Sequence, residues 1–373
     1  PFCGDLADED CAILQEASAA SQGLTSYAAD MAFDVSMSGI PEMPVDPIAF
    51  NFQLGGRFAF NEVGQEVMQR MHELQGNVTE EDLQQLMEEM PDLLVDLYRG
   101  MNFDMTMSYS VPPDVAAAIT ADSDTEFPET MSFDARMIDG TMYINVRDLR
   151  EFVPESNDTF TSDWIGMDYV GLLEMQMDRS AALDSDPMAA SMMGGVAAAE
   201  MMKQMQEFVT VERLDDVDLD DGQQGAVFAY DVDVIGFLTS DAFTQMVDQM
   251  MTQVAAQAGE DASSLQETRD AIGMVTFMAP MLFRDLSITA QSTIGLDDYM
   301  TYATEFNTTW DLSSLMQFAA MTDPGMADAV RGLKPVVELN FTMDMSDFNA
   351  DMTFEAPEDV QMIPLEQLVP PDT

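Results

Sequence analysis

The chain has 373 residues, of which 69 are Asp or Glu and 13 are Lys or Arg, so its net charge at pH 7 is −56. This charge excludes a nucleic-acid partner, because neutralising phosphates requires Lys and Arg side chains. A hydrophobic content of 47% excludes wholesale disorder and provides for a substantial core.

The first 24 residues predict a disulfide-closed loop and a short helix. Cys3 and Cys11 are close in sequence, which predicts a local disulfide of the kind found in oxidising compartments. A lipid anchor on Cys3, which Gly4 follows, is the alternative interpretation. The helix is expected from Asp8 to about Gly23. These features favour an extracellular or cell-surface protein whose signal peptide has been removed.

Residues 25–373 are expected to form a single domain, and its first half is rich in two-faced strands. Met101 to Val111 shows the pattern best, since apolar residues alternate with Asn, Asp, Thr and Ser. Thr79 to Arg99 carries an apolar stripe at helical spacing and is predicted to be a helical insertion. Asp139-Gly140 predicts a tight hairpin turn. The predicted strands are Tyr27–Met37, Phe50–Asn61, Met101–Val111 and the hairpin Met131–Val146.

The second half repeats this plan, with strand pairs separated by helices. It closes with a predicted hairpin from Val337 to Asp359, in which Phe and Met alternate with Asp, Asn and Thr. Helices are predicted at Trp164–Arg179, Asp186–Phe208, Thr239–Gly259, Ser263–Phe283 and Leu312–Arg331. The remaining strands are predicted at Val209–Leu214, Gly225–Val234, Leu286–Ile294 and Tyr299–Asn307.

These patterns predict an α+β fold with a large curved antiparallel sheet of about ten or eleven strands. Strands that are apolar on one face only are typical of a sheet with one solvated and one covered face. The helices are therefore expected to pack on the concave face, which is rich in Met and Phe. A crevice there either binds an apolar ligand or is filled by side chains. The candidate lining residues are Met105, Met107, Phe133, Met192, Met202, Phe243, Met246, Met250, Met278, Phe341, Met343 and Met352.

Four sequence phrases carry a resemblance to a known family. They are IDGTMYINVRDL at 138–149, WIGMDY at 164–169, VERLDDVDLDDGQQGAVFAYDVDV at 211–234 and SDFNADMTFEAPED at 346–359. Their order resembles the LolA/LppX-like superfamily of exported lipoprotein carriers and lipid-carrying lipoproteins, over roughly Tyr27 to Pro364. The resemblance implies a half-open β-barrel plugged by helices, with an apolar cavity for acyl chains and no catalytic residues. This chain departs from the family in its charge, in the helix at 79–99 and in the residues before Cys3.

Residues suited to catalysis are scarce. The single histidine, His72, has no nucleophile motif near it and is interpreted as a surface residue of a helix, so no enzymatic activity is expected. The loop with Asp216, Asp218 and Asp220 is a candidate for weak Ca²⁺ binding, or else a solvated acidic hairpin loop. No other cofactor is expected. Candidate N-glycosylation sites occur at Asn77, Asn157, Asn307 and Asn340.

Two functions from different classes fit these observations. The first is an exported, non-enzymatic protein that binds a lipid or another apolar molecule in a cavity lined by Met and Phe. The alternative is a self-assembling extracellular structural subunit of a surface layer, sheath or filament, in which long strands pair at sheet edges. The expected partner is therefore either an apolar ligand or further copies of the chain in a homo-oligomer or filament.

Overall fold

One open sheet dominates the fold in the computed structural model of the chain. The structure describes residues 3–40, 45–73, 80–121, 127–152, 160–182, 205–220, 222–247, 273, 276–322, 330 and 332–368. The strands are β1 (Ser26–Ser38), β2 (Ile48–Phe60), β3 (Met101–Ser110), β4 (Thr130–Ile138), β5 (Thr141–Asn145), β6 (Trp164–Asp168), β7 (Val209–Arg213), β8 (Val217–Asp218), β9 (Gln224–Val232), β10 (Leu286–Gly295), β11 (Thr301–Asp311), β12 (Val336–Ser346) and β13 (Val360–Met362).

Helices lie between groups of strands rather than between every pair of strands. The helices are α1 (Asp8–Gln22), α2 (Glu62–Glu73), α3 (Glu80–Gly100), α4 (Pro113–Ala121), α5 (Arg147–Phe152), α6 (Tyr169–Ala182), α7 (Val234–Leu238), α8 (Ser313–Thr322) and α9 (Leu365–Leu368), with a 3₁₀ turn at Gln206–Phe208. Residues 241–247 and 276–282 are also helical. Among these described helices, none is both long and apolar enough to cross a membrane.

The sheet is almost entirely antiparallel and ends in two edges. Its strand order is β13-β6-β5-β4-β3-β2-β1-β12-β11-β10-β9-β7, and β8 also pairs with β9. The pairing of β13 with β6 is parallel, and the other pairings are antiparallel. The predicted α+β class with a large antiparallel sheet is confirmed, and the sheet does not close into a barrel. The short strands β6, β8 and β13 raise the number of strands to 13, above the ten or eleven predicted.

The strand register separates an apolar face of the sheet from a polar face. Met31 of β1 lies opposite both Met343 of β12 and Leu54 of β2. The preceding residue, Asp30, lies opposite Asp344 and points to the other side, because successive side chains of a strand alternate between faces. The alternation read from the sequence thus continues in register from strand to strand.

The N-terminal helix closes one end of the apolar face. Leu14 and Ala17 of α1 are buried against Ala226 and Phe228 of β9, where apolar burial is the main stabilising contribution. Arg213 fastens this contact, since its guanidinium lies 3.5 Å from the Asp10 carboxylate of α1. Cys3 and Cys11 are joined by a disulfide, which ties the residues before α1 to the helix itself.

The predicted closing hairpin is wrong in its second half. Strand β12 ends at Ser346, and positive φ values at Asp347 (52°) and Asn349 (56°) turn the chain away from the sheet. Residues 347–359, here called the strap, then run without strand pairing until β13 pairs with β6. The alternating pattern misled the prediction because it marks an extended segment, and such a segment can also cross a sheet rather than join it.

The segment predicted to be a helix from Trp164 to Arg179 is a strand followed by a helix. Its first five residues form β6, and α6 begins only at Tyr169. Asp168 sets this boundary, because its carboxylate accepts a hydrogen bond from the Gly171 N–H at 2.8 Å and so caps the helix. Most of the helices predicted at Asp186–Phe208, Thr239–Gly259 and Ser263–Phe283 lies outside the described residues.

Candidate ligand-binding surface

Two parallel rows of large apolar side chains cross the middle of the apolar face. Each row has one residue from each of five adjacent strands, β12, β1, β2, β3 and β4. Neighbouring strands are about 4.8 Å apart, so each row is about 19 Å long. The two rows together, here called the double row, are Met343, Met31, Leu54, Met107 and Phe133, and beside them Phe341, Phe33, Phe52, Tyr109 and Met131.

The side chains of the double row are incompletely buried, although they lie at the centre of the sheet. None of the ten falls in the buried class, and Phe52, Met107 and Phe133 are 41%, 40% and 37% exposed. A central position in a large sheet is normally where large apolar residues are buried most deeply. Adjacent exposed residues of this size form a contiguous apolar patch, a feature that commonly marks a binding surface.

Strand β3 shows the burial profile most clearly. Along one face of this strand and the residue after it, Phe103 is 5% exposed, Met107 is 40% exposed and Val111 is 5% exposed. Strand β4 shows the same fall in burial, because Met137 is 0% exposed and Phe133 is 37% exposed. The apolar face is therefore covered at both ends of β3 and open between them.

Helices α3 and α6 cover one end of this open region. Phe103 and Met137 pack there with Tyr98 of α3 and Tyr169 of α6. The rings of Tyr98 and Tyr169 meet edge to face, with their centroids 5.0 Å apart. Val95 of α3 adds a contact to α6, so the two helices form one packed unit at the ends of the strands.

Helix α4 covers the opposite end. Val115 and Ala116 of α4 form a buried cluster with Val111, and Phe50 and Tyr109 pack against this cluster. Tyr109 thus belongs both to the double row and to the margin of the α4 cluster. The open region consequently has two packed margins, with the double row as its floor.

The double row carries no charge at neutral pH. Tyr109 is its one titratable side chain, and burial raises the pKa of the phenol above its ordinary value of 10.0. The phenol therefore stays neutral at and above physiological pH. This neutrality contrasts with the chain as a whole, which has a net charge of −56.

The structure separates the cavity residues predicted from the sequence into several groups. Met107, Phe133, Phe341 and Met343 lie in the double row, and Met105 lies on the same face of β3 beside it. The rows also contain residues that the predicted set did not include. They are Met31, Phe33, Phe52, Leu54, Tyr109 and Met131.

The other predicted cavity residues lie elsewhere. Phe243 packs edge to face on Phe237 of α7, and Met246, on the same helical segment as Phe243, is 7% exposed. Met278 belongs to the helix at 276–282, whose buried side packs near Trp310 of β11. Residues Met192, Met202 and Met250 lie outside the described residues.

Met352 lies on the strap, which crosses the polar face. The prediction that this segment lines the apolar crevice is wrong for its neighbour Phe354, whose ring lies under the guanidinium of Arg57 on the polar side of β2. The physical reason is the turn at Asp347 and Asn349, which carries the chain across the other face.

An ion-pair network on the polar face holds the strap in place. Arg57 and Arg136 both pair with Asp104, at 3.3 and 3.2 Å. Arg136 also donates a hydrogen bond to the Glu355 carbonyl at 3.1 Å, and its guanidinium lies 5.1 Å from the centre of the Trp164 ring. Two clefts of about 460 and 350 Å³ also open here, and both have a mixed lining of apolar residues with acids, amides and hydroxyls.

The described residues of the acidic loop do not gather metal ligands. Asp216 pairs with Arg213, and Asp218 accepts a hydrogen bond from Gln224, so both carboxylates already have partners. Asp220 is exposed, and no group of three potential ligands occurs among the described residues. The Ca²⁺ candidate therefore receives no support from the geometry of the described part of the loop.

Two of the four candidate glycosylation sites are described, and they are neighbours. Asn340 of β12 and Asn307 of β11 lie opposite each other on the polar face, and both are exposed. Asn77 and Asn157 lie outside the described residues.

Comparisons with known proteins leave the family open. No protein-family profile and no curated protein matches the chain. One solved structure similar to it is the crystal structure of a DUF1329 family protein from Desulfovibrio piger. The identity is 8%, the match covers 93% of this chain and 96% of that chain, and the TM-score is 0.18. At this TM-score the likeness carries no argument about fold or function, so the LolA/LppX-like resemblance still rests on the sequence phrases.

Proposed function

We propose that the protein binds an extended apolar molecule, such as an acyl chain, across the double row. The burial profile of β3 carries this proposal, because the apolar face is packed at both ends of the strand and open at Met107. Covering the exposed part of these side chains is favourable by about 25 cal/mol for each Å² of apolar surface. A ligand lying across the five strands would be covered below by the double row and flanked by α3, α4 and α6.

The composition of the double row suits a ligand of variable shape. Four of its ten side chains are methionines, which are flexible and polarizable and adapt to differing partners. Five are aromatic and give rigid contact area, with ring centroids of Phe33 and Phe52 6.3 Å apart. We therefore infer selectivity for length and apolar character rather than for a particular head group.

We also propose that the protein binds its ligand without catalysing a reaction, and that it works in an oxidising, extracellular location. The pKa shifts resolved among the described residues are of two kinds: tyrosines whose pKa burial raises, and an exposed group around Arg284 and Asp285. Tyr109 is the one of these groups that lies in the double row, and its raised pKa keeps the phenol protonated at neutral pH, so it is not a general base there. The disulfide between Cys3 and Cys11 supports the location, since such bonds persist in oxidising compartments.

Assembly through sheet edges receives less support from the strand order. The long strands β1, β2 and β12 lie in the middle of the sheet. The edges are formed by β13 and β7, which have three and five residues. Short edge strands are one of the ways in which proteins prevent edge-to-edge pairing.

Binding of a fluorescent long-chain fatty acid to matched variants tests the proposed function. Met107→Gln places an amide in the double row, and we expect it to weaken binding about tenfold or more, because the covered amide lacks a partner. Met281→Gln is the control, since Met281 is 38% exposed and lies on the separate helix at 276–282. Equal affinities of the two variants, or no binding by the unsubstituted protein, would contradict the proposal.

A further inference from the structure

Methionine sulfur recurs along the double row. Met343, Met31, Met107 and Met131 come from four different strands, β12, β1, β3 and β4. None of the four is buried, and Met107 is 40% exposed. The thioether of an accessible methionine is readily oxidised to a sulfoxide, a change that can be reversed by reductases.

We propose that these four methionines are a modification site, at which oxidation to methionine sulfoxide releases the apolar ligand. This inference rests on the proposed binding function and adds its regulation. Oxidation would convert the floor of the open region from apolar to polar without removing any part of the sheet.

The chemical step requires a peroxide as the oxidant. The thioether sulfur donates an electron pair to one oxygen of hydrogen peroxide, so an S–O bond forms as the O–O bond breaks. Sulfur loses two electrons, and the second oxygen leaves as water with both protons. Reductases specific for each sulfoxide epimer return the thioether.

The surroundings of the four sulfur atoms explain why the addition of one sulfoxide oxygen would weaken ligand binding strongly. A sulfoxide oxygen is a hydrogen-bond acceptor, and Tyr109 is the only side chain of the double row that carries a donor. Neighbours such as Leu54 and Phe133 provide only carbon atoms. A ligand lying over the sulfoxide would strip it of water without replacing the lost hydrogen bonds, which is costly.

The same sheet provides an internal control for the site of oxidation. Met137 lies on the same face of β4 as Met131 but is 0% exposed, packed with Phe103 and Ala135. It should therefore resist the oxidant that reaches the double row. We expect peptide mass spectrometry to show that Met107 gains oxygen at least about ten times faster than Met137, since susceptibility follows exposure.

The decisive measurement follows ligand affinity during treatment with hydrogen peroxide. We expect affinity for a fluorescent fatty acid to fall about tenfold or more as Met107 gains oxygen, because the covered sulfoxide lacks hydrogen-bond partners. Treatment with the two sulfoxide reductases should restore both the mass and the affinity. Full oxidation at Met107 with unchanged affinity would overturn the inference.

Two leucine variants separate the double row from other exposed methionines. The first variant is the control, in which three exposed methionines outside the double row are replaced. Peroxide should still release the ligand from it, because the methionines of the double row remain. The control substitutions are Met68→Leu, Met281→Leu and Met362→Leu, at positions 42%, 38% and 53% exposed.

The second variant replaces the four methionines of the double row, and each variant is compared with itself before and after peroxide. We expect its affinity to change less than about twofold on treatment, because no thioether remains in the rows. A loss of affinity as large as that of the unsubstituted protein would overturn the inference. Absence of binding by the unsubstituted protein before any peroxide is added would instead overturn the proposed function. The substitutions are Met31→Leu, Met107→Leu, Met131→Leu and Met343→Leu.

Discussion

A few arginines organise the polar face of a very acidic protein. The chain has only 13 Lys and Arg residues, yet Arg57 and Arg136 share one carboxylate, Asp104. The strand register explains the arrangement, because Arg57, Asp104 and Arg136 lie directly opposite one another on β2, β3 and β4. Each guanidinium also stacks on an aromatic ring, an interaction that Lys forms less readily.

The substitution Arg136→Ala is expected to lower the free energy of unfolding by about 1–2 kcal/mol. It removes the ion pair with Asp104, the hydrogen bond to the Glu355 carbonyl and the contact with Trp164. Urea unfolding followed by circular dichroism measures the change. Arg147→Ala is the control and should cost less than about 0.5 kcal/mol, because Arg147 is a 60% exposed partner of Asp163. Equal effects of the two substitutions would show that the network does not fasten the strap.

At the scale of the element, the strap shows what a sequence pattern leaves undetermined. The alternation of Phe348, Met352 and Phe354 with polar residues predicts a strand, and the segment is extended but unpaired. Its contacts are gathered at separate points, and at one of them Asn349 and Ala350 are hydrogen-bonded to Thr25 and Ser26. The Asn349 carboxamide oxygen accepts hydrogen bonds from the N–H and the hydroxyl of Thr25, at 2.8 and 3.0 Å.

Substitutions at Asn349 separate the cost of its backbone conformation from the cost of its hydrogen bonds. Asn349→Gly loses the side-chain contacts, and we expect a loss of about 1 kcal/mol in the free energy of unfolding. Asn349→Ala should lose about 1 kcal/mol more, because a φ of 56° disfavours residues with a Cβ. The measurement is urea unfolding, with the exposed strand residue Asn307→Ala as the control. An alanine variant as stable as the glycine variant would contradict the observed turn.

The strands could be predicted well from the sequence because apolar and polar residues alternate regularly over long runs. The boundaries of β1, β3 and β4 agree with the pattern to within about one or two residues. Only some residues of the double row were predicted from the sequence, since which residues lie together in a row depends on the register of five strands. Phe52 and Met107 become neighbouring members of the open region only through the pairing of β2 with β3. Strand register is set by long-range pairing, which no local pattern specifies.

At the scale of the whole molecule, charge is distributed unevenly. Asp30, Asp34 and Asp344 lie on the polar face, while the double row carries no charge. Asp30 and Asp344 face each other directly, a pairing that is destabilising for like charges. A net charge of −56 therefore opposes the folded state through repulsion, and dissolved salt should weaken that repulsion.

We expect the urea midpoint to rise when sodium chloride is raised from about 0.1 to 1 M, since the screening length falls from about 10 to 3 Å. The control is the same comparison near pH 4.1, the isoelectric point of the sequence, where the net charge is small and the effect should shrink. A midpoint that is unchanged by salt at neutral pH would show that repulsion contributes little to the stability of this chain.

Photocrosslinking with a long-chain fatty acid that carries a diazirine tests the central claim most directly. After irradiation, peptide mass spectrometry locates the labelled residues. The proposed function predicts labels on β1, β2, β3, β4 and β12, centred on Phe52, Met107 and Phe133. Among the described residues, the main competing apolar site is Phe277, which is 86% exposed on the helix at 276–282. Labels concentrated there, or spread evenly over exposed apolar residues, would contradict a binding surface on the double row.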